Sequence, residues 1–253
     1  MKNLLKLLGL VLTIFTFGIA CSSDDSNAST DDMGTTDDDG VVPVELHAAF
    51  AEFNEEATTI YLDGSDVVIE TTGLPNHETV YWGVGHELYI EEPNVQTTPS
   101  IMSSNNNAVT IVVDATPNLT GNTVATNLGT IGIALSGASI FNDQEGNGPL
   151  DNAAASLDWT GGHIGPGVYH YHLEPKAITN DDQNLVGILL DGVFLYGRRD
   201  YPSDDYPTDL DESGGHFGPT PHNPDGEYHY HIINEVYSTT GSYIAFAGPY
   251  QGY

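Results

Sequence analysis

The alternation of apolar and polar positions along most of the chain predicts short β-strands separated by turns. TTIYL and DVVIETT flank an Asp-Gly pair at residues 63–64, and LVGILL and VFLYG flank another at residues 191–192. Such a pair between two apolar runs favours a hairpin, because the tight turn needs positive φ angles. Further strands are predicted at residues 108–114 and 130–135. The pattern predicts an all-β, antiparallel, β-sandwich-like single domain over residues 42–253.

One segment has helical rather than alternating spacing. Leu46, Ala49, Phe50 and Phe53 recur at intervals of three and four residues, apart from one adjacent pair. Residues at these intervals share one face of a helix. The spacing predicts one short N-terminal helix before the first strand.

The first residues have the pattern of a secretion signal. Lys2 and Lys6 precede an apolar run that ends at Ala20, directly before Cys21, the only cysteine of the chain. A small residue before a cysteine resembles the cleavage site of bacterial lipoproteins, so residues 1–20 are predicted to be a lipoprotein signal peptide and Cys21 to be lipidated. The alternative is an ordinary signal peptide followed by an incidental cysteine.

Residues 21–41 carry seven aspartates and almost no apolar side chains. Such a segment cannot offset the entropy lost on folding, so it is predicted to be a flexible acidic tether after Cys21. The acidic run also resembles the export signal of some outer-membrane lipoproteins. We therefore expect an outer-membrane protein that faces the periplasm or the cell surface, with membrane lipid as the partner of its acylated N-terminus.

The charge of the chain excludes one class of partner. Its 36 acidic and five basic residues give a formal net charge of −31 at pH 7. Beyond the signal peptide only Lys176, Arg198 and Arg199 are basic. A field of this sign repels phosphate, so nucleic-acid binding is not expected. The two arginines are expected to form structural ion pairs rather than to hold an anionic substrate.

A histidine-containing unit occurs twice. GGHIGPGVYHYH spans residues 161–172, and GGHFGPTPHNPDGEYHYH spans residues 214–231. Each copy follows a Leu-Asp pair, which begins at Leu157 in the first and at Leu210 in the second. The second copy has six more residues than the first, at positions 220–225. The match indicates a duplicated structural element that carries an inserted loop in one copy.

The spacing of these histidines favours metal binding. In an extended strand, His170 and His172 share one face at about 7 Å while the tyrosines point to the other, so both imidazoles can converge on one ion. If the two YHYH strands lie side by side, four imidazoles face a common volume, and His163 and His216 enter it from loops rich in glycine. A cation would hold such a group of imidazoles neutral. The candidate metal ligands are His163, His170, His172, His216, His229 and His231.

The sequence is compatible with more than one metal and with more than one role for the site. Beyond Cys21 the chain has no thiol, and imidazole-rich ligation suits copper(II) or zinc. Six histidines exceed the four ligands of one zinc ion, so two ions are expected, or some histidines support the others. A metal-independent histidine cluster, either structural or pH-sensitive, is the alternative, because alternating Tyr and His also suits a half-buried strand.

Two weaker patterns concern calcium and catalysis. Asp209, Asp211 and Ser213 begin like a calcium loop, but Thr220 stands where a bidentate glutamate is expected, so an acidic turn is favoured. A metalloenzyme would need a titratable group beside the ion, and Asp191 and Tyr169 are the candidates. The hairpin turn already accounts for Asp191. Whether the protein is an enzyme is left open.

Several blocks together resemble a known family. GGHIGPGVYHYH, VGILLDGVFLYG and the closing GPYQGY are similar to successive blocks of the YHYH-domain proteins, which are secreted or anchored proteins of bacteria. The resemblance implies a YHYH domain and no particular reaction. It also implies that Thr160 and Ser213 replace cysteines that relatives have near the Gly-His motif, so disulfides there are absent. A metal-independent structural, adhesion or polymer-binding β-domain remains the alternative function.

Overall fold

The strands of this protein form four sheets in a computed structural model, which describes residues 44–96, 100–146, 148–165 and 167–253. The described residues belong to one compact unit. The predicted signal peptide, Cys21, the acidic tether and the predicted domain boundary at residue 42 lie outside them. No helix in the described ranges has the length and apolar character needed to cross a bilayer.

The strands are β1 (Thr58–Asp63), β2 (Asp66–Thr71), β3 (Val109–Asp114), β4 (Gly132–Ala134), β5 (Ser139–Ile140), β6 (Gln144–Glu145), β7 (Gly148–Pro149), β8 (Gly162–Ile164), β9 (Tyr169–Tyr171), β10 (Leu185–Leu189), β11 (Phe194–Tyr196), β12 (Gly215–Gly218), β13 (Glu227–His231), β14 (Val236–Tyr237) and β15 (Ser242–Tyr243). The described helices are short 3-10 turns, at Ala48–Glu52, Val80–Trp82, Met102–Ser104, Leu150–Asn152 and Ala154–Ser156. The predicted all-β class is confirmed.

The predicted N-terminal α-helix is wrong: the segment forms the 3-10 helix Ala48–Glu52. Phe53 is extended, with φ −67° and ψ 142°, which ends the helical turn. The next residue, Asn54, donates its backbone N–H to the carbonyl of Leu135 at 2.9 Å. A tertiary hydrogen bond therefore replaces the helical one at this point, while Phe53 still contributes to the core.

Both predicted hairpins are present, and each turn contains the predicted glycine. In β1–β2, Asp63 pairs with Asp66, so Gly64 and Ser65 form the turn and Gly64 adopts φ +66°. In β10–β11, the N–H of Leu189 bonds to the carbonyl of Val193, and Gly192 adopts φ +81°. Glycine takes the left-handed conformation in each turn, which is the reason the sequence signal was reliable.

The strands β1, β2 and β3 form an antiparallel three-stranded sheet, which packs on one face of an eight-stranded sheet. Val67, Ile69 and Val113 of the small sheet share a core with Ile133 and Ile188 of the large one. This packing is the predicted sandwich-like layer. The opposite face of the large sheet buries the tyrosines of both YHYH strings in a second core.

The large sheet consists of two equivalent halves. Its strand order is β12-β13-β11-β10-β4-β5-β9-β8. The halves meet at the antiparallel β4–β10 pair, and from there the equivalent strands follow in the same order towards each edge of the sheet. In each half the inner pair is a hairpin and the outer pair is a second hairpin that joins it through parallel strands, β5–β9 in one and β11–β13 in the other. The predicted antiparallel pairing is present at the other pairs of this sheet, and these two pairs are parallel.

This arrangement extends the repeat beyond the unit found by sequence. IGIALSGASIFN at residues 131–142 occupies the same place as VGILLDGVFLYG at residues 186–197. The duplicated element therefore begins with the first strand of each inner hairpin and includes everything up to the YHYH string.

Candidate metal centres

The first cluster consists of Glu145, His163, His170 and His172. Nε2 of His170 lies 3.1 Å from Nε2 of His163 and 3.0 Å from Nε2 of His172. Oε1 of Glu145 lies 3.0 Å from Nε2 of His163 and 2.9 Å from Nε2 of His172. The three histidines are buried, and the carboxylate is about 15% exposed. Four potential ligand atoms thus surround one point.

The second cluster consists of Asp200, His216, His229 and His231. Nε2 of His216 lies 3.2 Å from Nε2 of His229. Oδ1 of Asp200 lies 3.7 Å from Nε2 of His216 and 3.9 Å from Nε2 of His231. Its three histidines are also buried. Like the first cluster, it consists of three histidines and one carboxylate residue. The side chain of Asp200 is one methylene shorter than that of Glu145, and its carboxylate lies further from the imidazoles.

Strand pairing positions the histidines within each cluster. His163 on β8 stands directly opposite His170 on β9, and His216 on β12 stands opposite His229 on β13. His163 and His216 therefore lie on strands, whereas loop positions were expected. The third imidazole of each cluster is two residues further along, on the same strand face.

The two YHYH strands do not lie side by side, so the six histidines do not share one volume. β9 and β13 are separated in the sheet by β5, β4, β10 and β11. The reason is the duplication, because each half builds its own hairpin pair and places it at its own end of the sheet. The described residues contain two separate groups able to hold a metal ion, one in each half.

Hydrogen bonds fix the tautomer of the histidines in the first cluster. Nδ1 of His170 lies 3.1 Å from the carbonyl of Val168, and Nδ1 of His172 lies 2.5 Å from the carbonyl of Asn142. A carbonyl only accepts, so both Nδ1 atoms donate. Nδ1 of His163 donates to the hydroxyl of Ser156 at 2.8 Å, since that hydroxyl gives its own proton to the carbonyl of Ala153.

The second cluster follows the same rule with other acceptors. Nδ1 of His229 donates to the carbonyl of Glu227 at 3.0 Å, and Nδ1 of His231 donates to the carbonyl of Gly197 at 2.7 Å. Nδ1 of His216 donates to the carboxylate of Asp209 at 2.9 Å. In the neutral imidazoles every Nε2 is therefore a lone-pair acceptor that faces the cluster centre.

These arrangements leave acceptor atoms facing acceptor atoms. The buried atoms without a hydrogen-bond partner include Oε1 of Glu145, Oδ1 of Asp200 and Nε2 of His231. Glu145 lies close to Nε2 of His163 and of His172. Both rings carry their proton on Nδ1, so neither Nε2 can donate a hydrogen bond to the carboxylate. Buried acceptors in mutual contact are costly, and a cation at the centre satisfies all of them at once.

Burial keeps three of the imidazoles, those of His170, His229 and His231, in the neutral form. The pKa of His170 lies well below 6.5, first because of burial and then because of the neighbouring His172 and His163. Burial is also the largest cause that lowers the pKa of His229 and of His231, each to about 4. Near neutral pH these side chains are uncharged, which is the form that ligates a metal.

The candidate catalytic residues lie elsewhere. Tyr169 points to the opposite face of the sheet, where its hydroxyl donates to Asp158 at 2.6 Å and burial raises its pKa well above the usual value. Asp191 accepts a hydrogen bond from the Tyr230 hydroxyl at 2.6 Å and from the N–H of Gly252 at 3.0 Å. Neither side chain belongs to a cluster, so the structure does not bring them to the candidate metal positions.

The acidic turn considered for calcium has internal partners. Oδ1 of Asp211 accepts the backbone N–H groups of Ser213 at 2.8 Å and Gly215 at 3.2 Å. Asp209 supports His216, as described above. These contacts favour the acidic turn over a calcium loop. The arginines form the expected ion pairs, as with Arg198 and Glu174 at 2.9 Å.

Sequence reasoning missed the two carboxylates, Glu145 and Asp200. Glu145 lies three residues after Asn142, which ends the inner-hairpin block of the first half. Asp200 lies three residues after Gly197, which ends that block in the second half. Asn142 and Gly197 are 55 residues apart, and so are Glu145 and Asp200. The equivalence of the two carboxylates was therefore visible in the sequence. It was hidden because the repeat was traced only from the Leu-Asp pair onward, and because the chain has 36 acidic residues.

The fold and the clusters define an all-β protein with two buried, histidine-rich groups that could hold a metal ion. Residues 110–208 match the model of the YHYH protein family, so the chain contains a YHYH domain and the resemblance is confirmed over that segment. The matched segment includes the first YHYH string and ends before the second, at residues 228–231. Neither the curated proteins nor the solved structures gave a match.

Proposed function

We propose that this protein is an extracytoplasmic, lipid-anchored metal-binding protein in which each cluster holds one divalent cation. The observation that carries the proposal is the convergence of unprotonated Nε2 atoms and a buried carboxylate oxygen in both halves. A purely structural histidine group would place donors against acceptors, as the Nδ1 atoms already do. The side facing the cluster centre has acceptors only.

The ligand set fits copper(II) or zinc. Each cluster offers three imidazole nitrogens and one carboxylate oxygen. Four tetrahedral ligands about 2.0–2.1 Å from one zinc ion lie about 3.3 Å apart. The contacts of 2.9–3.1 Å in the first cluster are close to this spacing. When bound, such an ion supplies a Lewis-acid centre.

The protein fixes the orientation of the candidate ligands before a metal binds. Backbone carbonyl acceptors orient four imidazole rings of the two sites, those of His170, His172, His229 and His231. Such support from a second layer of hydrogen bonds raises ligand basicity and fixes ring orientation. These contacts support a metal-binding role, and they assign no reaction.

Metal analysis of residues 42–253 tests the proposal. We expect two equivalents of copper or zinc per chain in the wild type, one in His170→Ala, one in His229→Ala and none in the double variant, measured by elemental analysis after dialysis. His86→Ala is the matched control, because His86 is exposed and stacks on Trp82 outside both clusters. A wild-type chain that binds no metal would reject the proposal in favour of a metal-independent β-domain.

The lipid anchor is tested separately in the full chain. Cys21 is proposed to carry the lipid after removal of residues 1–20. In a bacterial host that processes lipoproteins, we expect the wild type in the membrane fraction and Cys21→Ser outside it. Mass spectrometry of the N-terminal peptide should show an acylated cysteine. An unmodified peptide would leave an ordinary secretion signal as the explanation.

A further inference from the structure

The two clusters are equivalent in position, yet the chain around them differs. We propose that they have different roles: the first is a closed site that stabilises the fold, and the second accepts a small external ligand on its metal. This inference rests on the proposed function, because it requires both clusters to hold a metal. The ligand class is a Lewis base that coordinates through nitrogen or oxygen.

The first difference is how tightly the protein's ligand atoms surround the centre. The carboxylate oxygen of Glu145 lies within 3.0 Å of two imidazole nitrogens. The shorter Asp200 stays 3.7 Å from His216 and 3.9 Å from His231. A carboxylate that stands back in this way closes the coordination sphere less completely, and catalytic or exchangeable sites are those that the protein does not close.

The second difference is the packing against the central imidazole. In the first cluster Phe141 stacks on His170, with ring centroids 3.7 Å apart, and a Cβ placed on Gly165 would lie 2.6 Å from Cε1 of that ring. In the second, Tyr196 meets His229 edge-on at 5.4 Å. A Cβ on the equivalent Gly218 would lie no closer than 3.5 Å to an imidazole. The second imidazole group is thus less tightly covered.

The third difference is a narrow cleft that the inserted loop helps to form. A narrow cleft lies beside the second cluster, lined among others by His229, His231, Thr220 and Pro221. The last two belong to the six extra residues of the second repeat. The first repeat lacks these six residues.

The walls of this cleft also carry polar groups. Oε1 of Gln183 lines it and is buried without a hydrogen-bond partner. The hydroxyl of Tyr196, on another side, is held by Nδ1 of His222 at 2.9 Å. His222 in turn contacts Glu52 at 2.8 Å, which ties the inserted loop to the rest of the domain. Side-chain contacts of His222 therefore hold the inserted loop in place.

Azide binding to the copper(II)-loaded protein tests the inference. Azide is a three-atom ligand, and its coordination to copper gives a charge-transfer absorption. We expect this absorption in the wild type and, with an unchanged dissociation constant, in His170→Ala, which keeps only the second site. It should be lost in His229→Ala, which keeps only the first. Glu145→Gln and Asp200→Asn serve as size-matched variants if an alanine variant fails to fold.

The outcomes separate the inference from the proposed function. Azide absorption that survives in His229→Ala, or that appears at neither site of a protein with two copper ions, overturns the difference in roles and leaves metal binding intact. A wild-type protein that binds no copper and no zinc rejects the proposed function itself. His86→Ala should match the wild type in both measurements.

Discussion

At the scale of single residues, the decisive feature is which imidazole nitrogen carries the proton. Carbonyl acceptors hold the Nδ1 protons of His229 and His231, and burial keeps both rings neutral. The groups that face them are His216, Asp200 and Asp209. Because burial disfavours the charged form, protonating these rings in the folded state is unfavourable unless the structure opens.

We therefore predict that the metal-free protein loses stability as the pH falls from 7 to 4. The pKa of His229 and of His231 drops from 6.5 in the unfolded chain to about 4 in the folded one. Between these values the unfolded state binds more protons, so the free energy of unfolding rises with pH and falls on acidification. Each histidine contributes roughly 3 kcal/mol to this loss. Urea unfolding in the presence of a chelator, at several pH values, measures it.

The acidic residues also titrate in this range, so the comparison needs a variant. The double change His229→Gln and His231→Gln removes both titrating rings and keeps side chains of similar length. Its free energy of unfolding should depend less steeply on pH than that of the wild type between pH 6.5 and 4. Equal slopes for the two proteins would show that these histidines are not held neutral.

At the scale of elements, the two halves depend on close contact between β4 and β10. A Cβ on Gly132 would lie 2.5 Å from the carbonyl oxygen of Ile188, and a Cβ on Gly187 would lie 2.2 Å from that of Ile133. The two glycines thus let the central strands approach each other from equivalent positions. Since the obstructing atoms are backbone, a side chain at either position must displace a strand.

We predict that Gly187→Ala and Gly132→Ala each destabilise the domain by about 1–3 kcal/mol or more, because overpacking a central strand pair shifts the backbone. Gly187→Ala should have the larger effect, as its contact is the shorter one. Gly146→Ala is the control, since a Cβ there meets no atom within 4 Å. Thermal unfolding of the three variants measures the difference. Midpoints equal to that of the control would show that the central pair tolerates separation.

The sequence could predict the local elements and which histidines cluster within each half, and it failed where distant segments meet. The turn at Gly192 and the alternation of the YHYH strings are local, so pattern alone located them. The parallel pairs β5–β9 and β11–β13 join segments separated by a long connection, for which periodicity carries no information. Finding the carboxylates Glu145 and Asp200 required the equivalence of the inner hairpins, which becomes evident once the strand order is known.

At the scale of the whole molecule, the symmetry of the halves is broken at the inner turns. The first half has Ser136, whose hydroxyl meets the hydroxyl of Tyr171 at 3.0 Å. The second half has the buried Asp191 in the equivalent place, opposite Tyr230. Burial raises the pKa of Asp191, while its hydrogen bonds act in the opposite direction. A buried carboxylate needs more partners than a hydroxyl, and residues 250–253 supply them.

Those partners are backbone groups of the last segment. The N–H groups of Gln251 and Gly252 lie 3.2 Å and 3.0 Å from Oδ2 of Asp191. Tyr250 is buried and forms a bridge with Val124, which holds the segment in place. The segment therefore completes the second half of the large sheet and joins it to a loop that follows the small sheet.

We predict that deleting residues 250–253 destabilises the domain by roughly 3 kcal/mol or more, because Asp191 loses charge-assisted hydrogen bonds and Tyr250 no longer packs. Asp191→Ser, which installs the residue of the other half, should destabilise the full-length chain. In the truncated chain the same change should restore part of the lost stability, since no buried carboxylate then remains without partners. Chemical unfolding of the four proteins gives the coupling energy between the two changes. Strictly additive effects would mean that the segment contributes only by packing, and that the asymmetry between Ser136 and Asp191 has no part in holding it.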